Sequence, residues 1–221
     1  MSVMESNARG AGGRPSLARK GDVDARLLEA ATRLFLTLGF EGTSCDLVAQ
    51  EARAGKASIY TRYANKTALL AAVVKDNLGR LFDAGLPDVA GVPLRERMRH
   101  AGETVIMKVL QPDAVALLRL LVAEAQRLGD IAVDADAILQ RIGIVHVARA
   151  IAAQPAPDQP DTGQLEAAAA PAGALLDLVL MPALLRALLG ADPIELQRAA
   201  IGGLMAAVDT VIASDAMAAW R

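Results

Sequence analysis

The sequence predicts an all-α protein, and three observations carry that prediction. Alanine and leucine dominate the chain while aromatic residues make up only 3% of it. Ala and Leu lose little side-chain freedom in a helix, whereas aromatic and β-branched residues favour strands. Apolar residues recur at three- and four-residue spacing, and no parallel-sheet pattern or internal repeat is evident. With 221 residues, 53% hydrophobic and 22% charged, the chain suits one or two globular domains and lies far from the disordered class.

The elements follow in order, about nine helices in all. Residues 1–21 are rich in Gly, Ser, Ala and Arg, lack an apolar period, and read as a flexible basic arm. A helix starts near Asp22 or Asp24, both good caps, and carries Leu27, Leu28, Ala31, Leu34, Phe35 and Leu38 as one stripe. Gly39 ends it. Thr43 and Asp46 fit a capping box opening a short helix over 45–52. A tight turn over 53–55 leads into another short helix over 56–63, and a longer one runs from Asn65 or Lys66 to about Leu81. Longer helices are expected over 94–110, 113–128, 134–152, 164–189 and 193–213. Pro171 and Pro182 should kink or split the fourth of these. The Pro- and Asp-rich segment 154–163 is the longest internal loop.

Several function classes are excluded early. One cysteine, Cys45, allows no internal disulfide and no all-cysteine zinc site. Two separated histidines, His100 and His146, argue against a catalytic metal. Neither a phosphate loop nor a Ser/His or Cys/His arrangement stands out, so the reading is not an enzyme, with no cofactor and no metal. Segments 172–190 and 199–213 are apolar, but Asp177, Arg186 and Pro182 interrupt the first, and the second holds Asp209 and is short for a span. They read as buried helices, with no membrane partner. The N-terminus lacks an apolar signal region, and a cytoplasmic location is expected.

Charge is uneven. Residues 1–66 hold ten Lys/Arg against seven acids, while the remainder holds thirteen against eighteen. A small basic end on an acidic body points to an anionic partner for that end. The two short helices with a tight turn, over 45–63, form a candidate helix-turn-helix. In that arrangement the first helix crosses the DNA backbone and the second lays its N-terminal residues in the major groove. Ile59 and Tyr63, at i and i+4, share an inward face, which turns Lys56, Ala57, Ser58, Thr61 and Arg62 outward.

At these residues the chain resembles the tetracycline-repressor (TetR) family of bacterial regulators. The resemblance rests on LLEAATRLFLTLGFEGTS at 27–44, DLVAQEA at 46–52 and GKASIYTRYANKTALL at 55–70, with the Tyr60, Tyr63 and Lys66 spacing the most typical feature. It implies that Thr43, Ser58, Tyr60 and Lys66 touch phosphates. Lys56 and Ala57 fall where base edges are read; Lys suits guanine and Ala the thymine methyl. Arg62 is a candidate phosphate or base contact, and Arg14 and Arg19 on the arm are candidates for a minor groove. The chain departs from the family pattern at Arg53, which replaces a turn glycine. If that position has positive φ, the side chain costs roughly 1 kcal/mol.

One helix-turn-helix reads a half-site, so a homodimer on a palindromic double-stranded operator is expected. The resemblance implies pairing through the last two helices. Leu176, Val179, Leu180, Leu184, Ile201, Leu204, Met205, Val208 and Ile212 are the apolar candidates there. The middle helices are expected to hold a pocket for a small, largely apolar effector, lined by Met98, Met107, Leu110, Leu117, Leu121 and His146. Arg119 and Glu124 are possible polar handles, with an ion pair or helix cap as their alternative role. The expected organisation is thus an arm at 1–21, a DNA-binding domain at 22–66, and an effector-binding and dimerisation domain at 67–221. The rival reading is a helical protein-interaction module whose helix-turn-helix has lost function through Arg53.

Overall fold

The computed structural model describes residues 17–80, 91–152 and 162–220, and among them it contains ten α-helices and no strand. They are α1 (Leu17–Gly42), α2 (Cys45–Glu51), α3 (Lys56–Tyr60), α4 (Lys66–Arg80), α5 (Leu94–Val109), α6 (Pro112–Ala123), α7 (Ala125–Leu128), α8 (Asp130–Ala152), α9 (Thr162–Leu188) and α10 (Pro193–Ala213). A 3₁₀ segment, Asp215–Trp220, follows.

Two apolar cores organise these helices. In the N-terminal core Leu27 and Phe35 of α1, Val48 of α2, Ile59 of α3 and Leu69, Leu70 and Val73 of α4 are fully buried. Each such large side chain contributes about 1.5–3 kcal/mol by leaving water. The core of the body gathers Met98, Ile106, Leu110, Ile151, Leu175 and Leu204 from α5, α8, α9 and α10. Gly102 lets α5 approach α10 closely, since a Cβ there would lie 2.9 Å from Leu204 Cδ1. Leu117, Leu121 and Leu128 bind the α6–α7 corner of the body into the N-terminal core.

Several boundaries differ from the sequence reading. Helix α1 begins at Leu17, ahead of Asp22, because Leu, Ala, Arg and Lys favour helix strongly enough to carry Gly21. The arm expected over 1–21 therefore overlaps the helix, and its first sixteen residues lie outside the described part. Gly39 (φ 70°) breaks α1 as expected, though one further turn extends to Gly42. The expected helix over 113–128 is divided at Glu124, and α8 starts at Asp130 after Gly129 adopts φ 54°. Helix α9 passes through Pro171 and Pro182 without splitting. Each proline removes one N–H donor, and the packing of Ala172, Leu175, Leu176, Val179 and Leu180 in the core offsets that loss.

Candidate nucleic-acid interface

The two short helices form around one turn. Ser44 caps α2, its hydroxyl accepting from Leu47 N–H at 3.1 Å, and Cys45, Val48, Ala49 and Ala52 follow as the buried face. Arg53 then adopts φ 50°, while the N–H of Arg53 donates to the Gln50 carbonyl and that of Ala54 to the Ala49 carbonyl. This is a Schellman ending with arginine in the position that glycine usually fills. Gly55 caps α3, and Ile59 pins α3 to the core with no exposed surface.

Pinned in this way, α3 presents Lys56, Ala57 and Tyr60 to solvent, with Tyr60 53% exposed. Asp46 organises two of them: Lys56 Nζ lies 2.8 Å from one carboxylate oxygen, and the Tyr60 hydroxyl donates to the other at 3.4 Å. The Lys56 hydrogen bond holds the Asp46 carboxyl below the usual carboxylate range, and the Asp46 charge raises the Tyr60 phenol. At pH 7 the cluster is therefore a carboxylate, an ammonium and a neutral phenol. An ammonium, a phenol and two exposed helix N-termini are suited to phosphate oxygens.

Other candidates fall elsewhere. Thr43 is 1% exposed and donates its hydroxyl to the Gly39 carbonyl at 2.8 Å, so its side chain offers a phosphate nothing; Ser44 holds the exposed capping position instead. The apolar period beginning at Cys45 is the signal that marks Ser44 as the cap. Arg62 is also turned inward. Its guanidinium pairs with Asp24 of α1 and donates to the Ser58 carbonyl and hydroxyl at 2.8 and 2.9 Å, leaving only 16% of the side chain exposed. It ties α3 to α1, and Ser58 is half-buried beside it. Lys66 opens α4, donates to the Phe40 carbonyl at 2.8 Å, lies 4.2 Å from the Phe40 ring centre, and keeps a quarter of its side chain exposed. Arg14 lies outside the described residues. Cys45 is buried, and desolvation pushes its thiol up.

The expected effector residues do not share one pocket. Met98 and Leu110 are fully buried in the body core, Met107 is exposed, and His146 is buried with its imidazole pKa lowered by desolvation. Leu117 and Leu121 instead line a cavity of about 360 Å³ between α1, α4, α5 and α6, together with Leu36, Val74, Asn77 and Leu78. Arg119 caps α9, donating to the Ala187 carbonyl from Nε at 3.1 Å. Glu124 pairs with Arg127 at 3.3 Å.

Among the candidate pairing residues, Leu176, Val179, Leu180, Leu204 and Val208 belong to the chain's own core, and Leu184, Ile201, Met205 and Ile212 are half-buried. The sequence period located the apolar stripe of each helix and left open whether it faces the chain's own core or a partner. The outward apolar stripe of α9 is Leu178, Met181, Leu185 and Leu189. Gly202, Gly203 and Ala206 lie exposed on α10.

A short helix pinned by one buried isoleucine, preceded by a capped helix and a tight turn, defines a helix-turn-helix. Residues 27–73 match the model for the N-terminal domain of bacterial regulatory proteins of the tetR family. Three solved structures illustrate the shared fold. A protein assigned to the TetR family in Mesorhizobium loti MAFF303099 is 19% identical, with 88% of this chain and 97% of that chain covered and a TM-score of 0.61. A TetR transcription regulator from Haloarcula marismortui is 20% identical, with 86% and 98% covered and a TM-score of 0.60. MexZ from Pseudomonas aeruginosa, a key repressor responsible for antibiotic resistance, is 21% identical, with 87% and 96% covered and a TM-score of 0.56. No curated protein matches the chain.

Proposed function

We propose that this protein is a ligand-responsive transcriptional repressor that binds a palindromic operator as a homodimer. The carrying observation is the exposed Lys56, Ala57 and Tyr60 face of α3, held over a fully buried Ile59. In this reading α3 enters the major groove, where Lys56 reads a base edge and Ala57 contacts a thymine methyl. Tyr60, Ser44 and the N-terminus of α4 with Lys66 hold phosphates. The exposed stripes of α9 and α10 pair two chains, because each helix-turn-helix covers one half-site.

The 360 Å³ cavity is where the small, largely apolar effector binds in this reading. Its apolar residues Leu36, Val74, Leu78, Leu117 and Leu121 adjoin polar Thr32, Asn77 and Gln111 and charged Arg80, Lys108 and Asp113. A ligand there separates α1 and α4 from α6, and so alters the spacing of the two recognition helices from the ~34–36 Å that one DNA turn requires. The repressor assignment draws on MexZ, whose fold is similar. Arg53 gives the interaction-module reading no support, since the turn closes around it.

Selection of bound sequences from random duplex DNA tests this reading. A two-fold palindrome is expected, with affinity falling steeply as salt rises. Folded, dimeric protein that enriches no sequence and binds no duplex at low salt would overturn it.

A further inference from the structure

We propose that Arg127 positions the DNA interface by drawing the Glu41 carboxylate away from Lys66, which leaves the Lys66 ammonium its charge for a DNA phosphate. The inference rests on the DNA-binding reading above and adds a residue of the body to the interface it describes.

The geometry gathers four groups at one point. Glu41 lies at the end of α1, exposed beside the N-termini of α2 and α4. One of its oxygens is 2.5 Å from Arg127 Nη1, and the other is 3.8 Å from Lys66 Nζ. The aromatic ring of Phe40 receives both cations, Lys66 at 4.2 Å and Arg127 at 5.2 Å from its centre. Phe40 is itself fixed, buried and stacked on Phe35 with centroids 6.1 Å apart.

The charges give this arrangement a consequence. An uncompensated carboxylate beside Lys66 both neutralises the ammonium and repels an approaching phosphate. Arg127 holds Glu41 in the nearer and stronger of its two pairs, and the hydrogen bond keeps that carboxyl ionised well below neutral pH. Nη1 of Arg127 contacts both Glu41 and Glu124, and the planar guanidinium lies over Phe40, a stacking that suits arginine. Its position is set by the body. Helix α7 has only four residues between the break at Glu124 and Gly129, and Leu128 anchors it in the N-terminal core. Displacement of the α6–α7 corner would therefore leave Glu41 paired with Lys66 alone.

The test is anisotropy titration of a fluorescent duplex carrying the palindrome recovered by selection, against wild type, R127M, E41Q and R127M/E41Q. R127M should weaken binding roughly twofold to fivefold, the scale of one exposed charge pair. E41Q should bind more tightly than wild type, and the double variant should bind as E41Q does. A purely architectural Arg127 would leave the double variant as weak as R127M, and that result overturns the proposal, as does R127M binding like wild type. Should R127M fail to fold by circular dichroism, R127Q and R127Q/E41Q carry the same comparison, since glutamine has no charge to offer Glu41. Wild-type protein that binds no duplex overturns the DNA-binding reading instead.

Discussion

Arg62 and Lys56 differ by six positions and carry the same charge, yet they do opposite work. Lys56 stands on the solvent face of α3, and its ion pair with Asp46 is exposed on both sides. Such a pair adds little to stability. Arg62 is largely enclosed and joins α3 to Asp24 of α1 and to Ser58. Replacing it strips partners from a half-buried carboxylate and carbonyl. We expect R62L to lower unfolding free energy by roughly 1–2 kcal/mol. K56A should leave stability within about 0.5 kcal/mol while weakening operator binding by roughly 1–3 kcal/mol. Urea melts and duplex titrations of both variants check the pair; equal loss of stability in the two would contradict the assignment.

Among the elements, the turn between α2 and α3 carries a local strain. Arg53 is the one non-glycine residue with positive φ among the described residues, and its side chain is exposed. Glycine adopts that conformation without the Cβ conflict, so R53G should stabilise the protein by about 1 kcal/mol. The gain is net of glycine's greater chain entropy, and a thermal melt would show it as a rise of a few degrees. A fall in melting temperature would mean that the arginine side chain contributes contacts of its own. Helix α9 shows how tertiary packing overrides a local signal: two prolines that break an isolated helix are carried through by a buried apolar face.

At the scale of the whole molecule, α9 carries a stripe of exposed apolar side chains among the described residues. Leu178 is 52%, Leu185 59% and Leu189 80% exposed. Helices α9 and α10 are long and apolar enough to cross a membrane by length and composition, but their inward faces pack against α5 and α8 in the body core. The outward face is the expected contact between two chains. The double variant L178E/L185E should sediment as a folded monomer where wild type sediments as a dimer, and its operator affinity should fall by more than an order of magnitude as the second half-site is lost. A variant that remains dimeric would place the contact elsewhere.

By itself the sequence determined the helical class, the helix-turn-helix and most helix limits, because these depend on local preferences: Ala and Leu periodicity, the Gly39 stop, the turn before α3 and the caps. It also placed Lys56, Ala57 and Thr61 on the outward face, since Ile59 fixes the helical phase of α3, but it turned Ser58 and Arg62 outward as well, and both are half-buried. Tertiary structure showed that Thr43 is buried and bonded to the Gly39 carbonyl, which its neighbour Ser44 as cap is not. It also decided which of two apolar stripes on α9 faces inward. The pairing of Arg62 with Asp24, and of Arg127 with Glu41 across 86 residues, had no local trace. Periodicity reports the spacing of residues along one helix; which neighbour covers each face is set by the packing of the other helices around it.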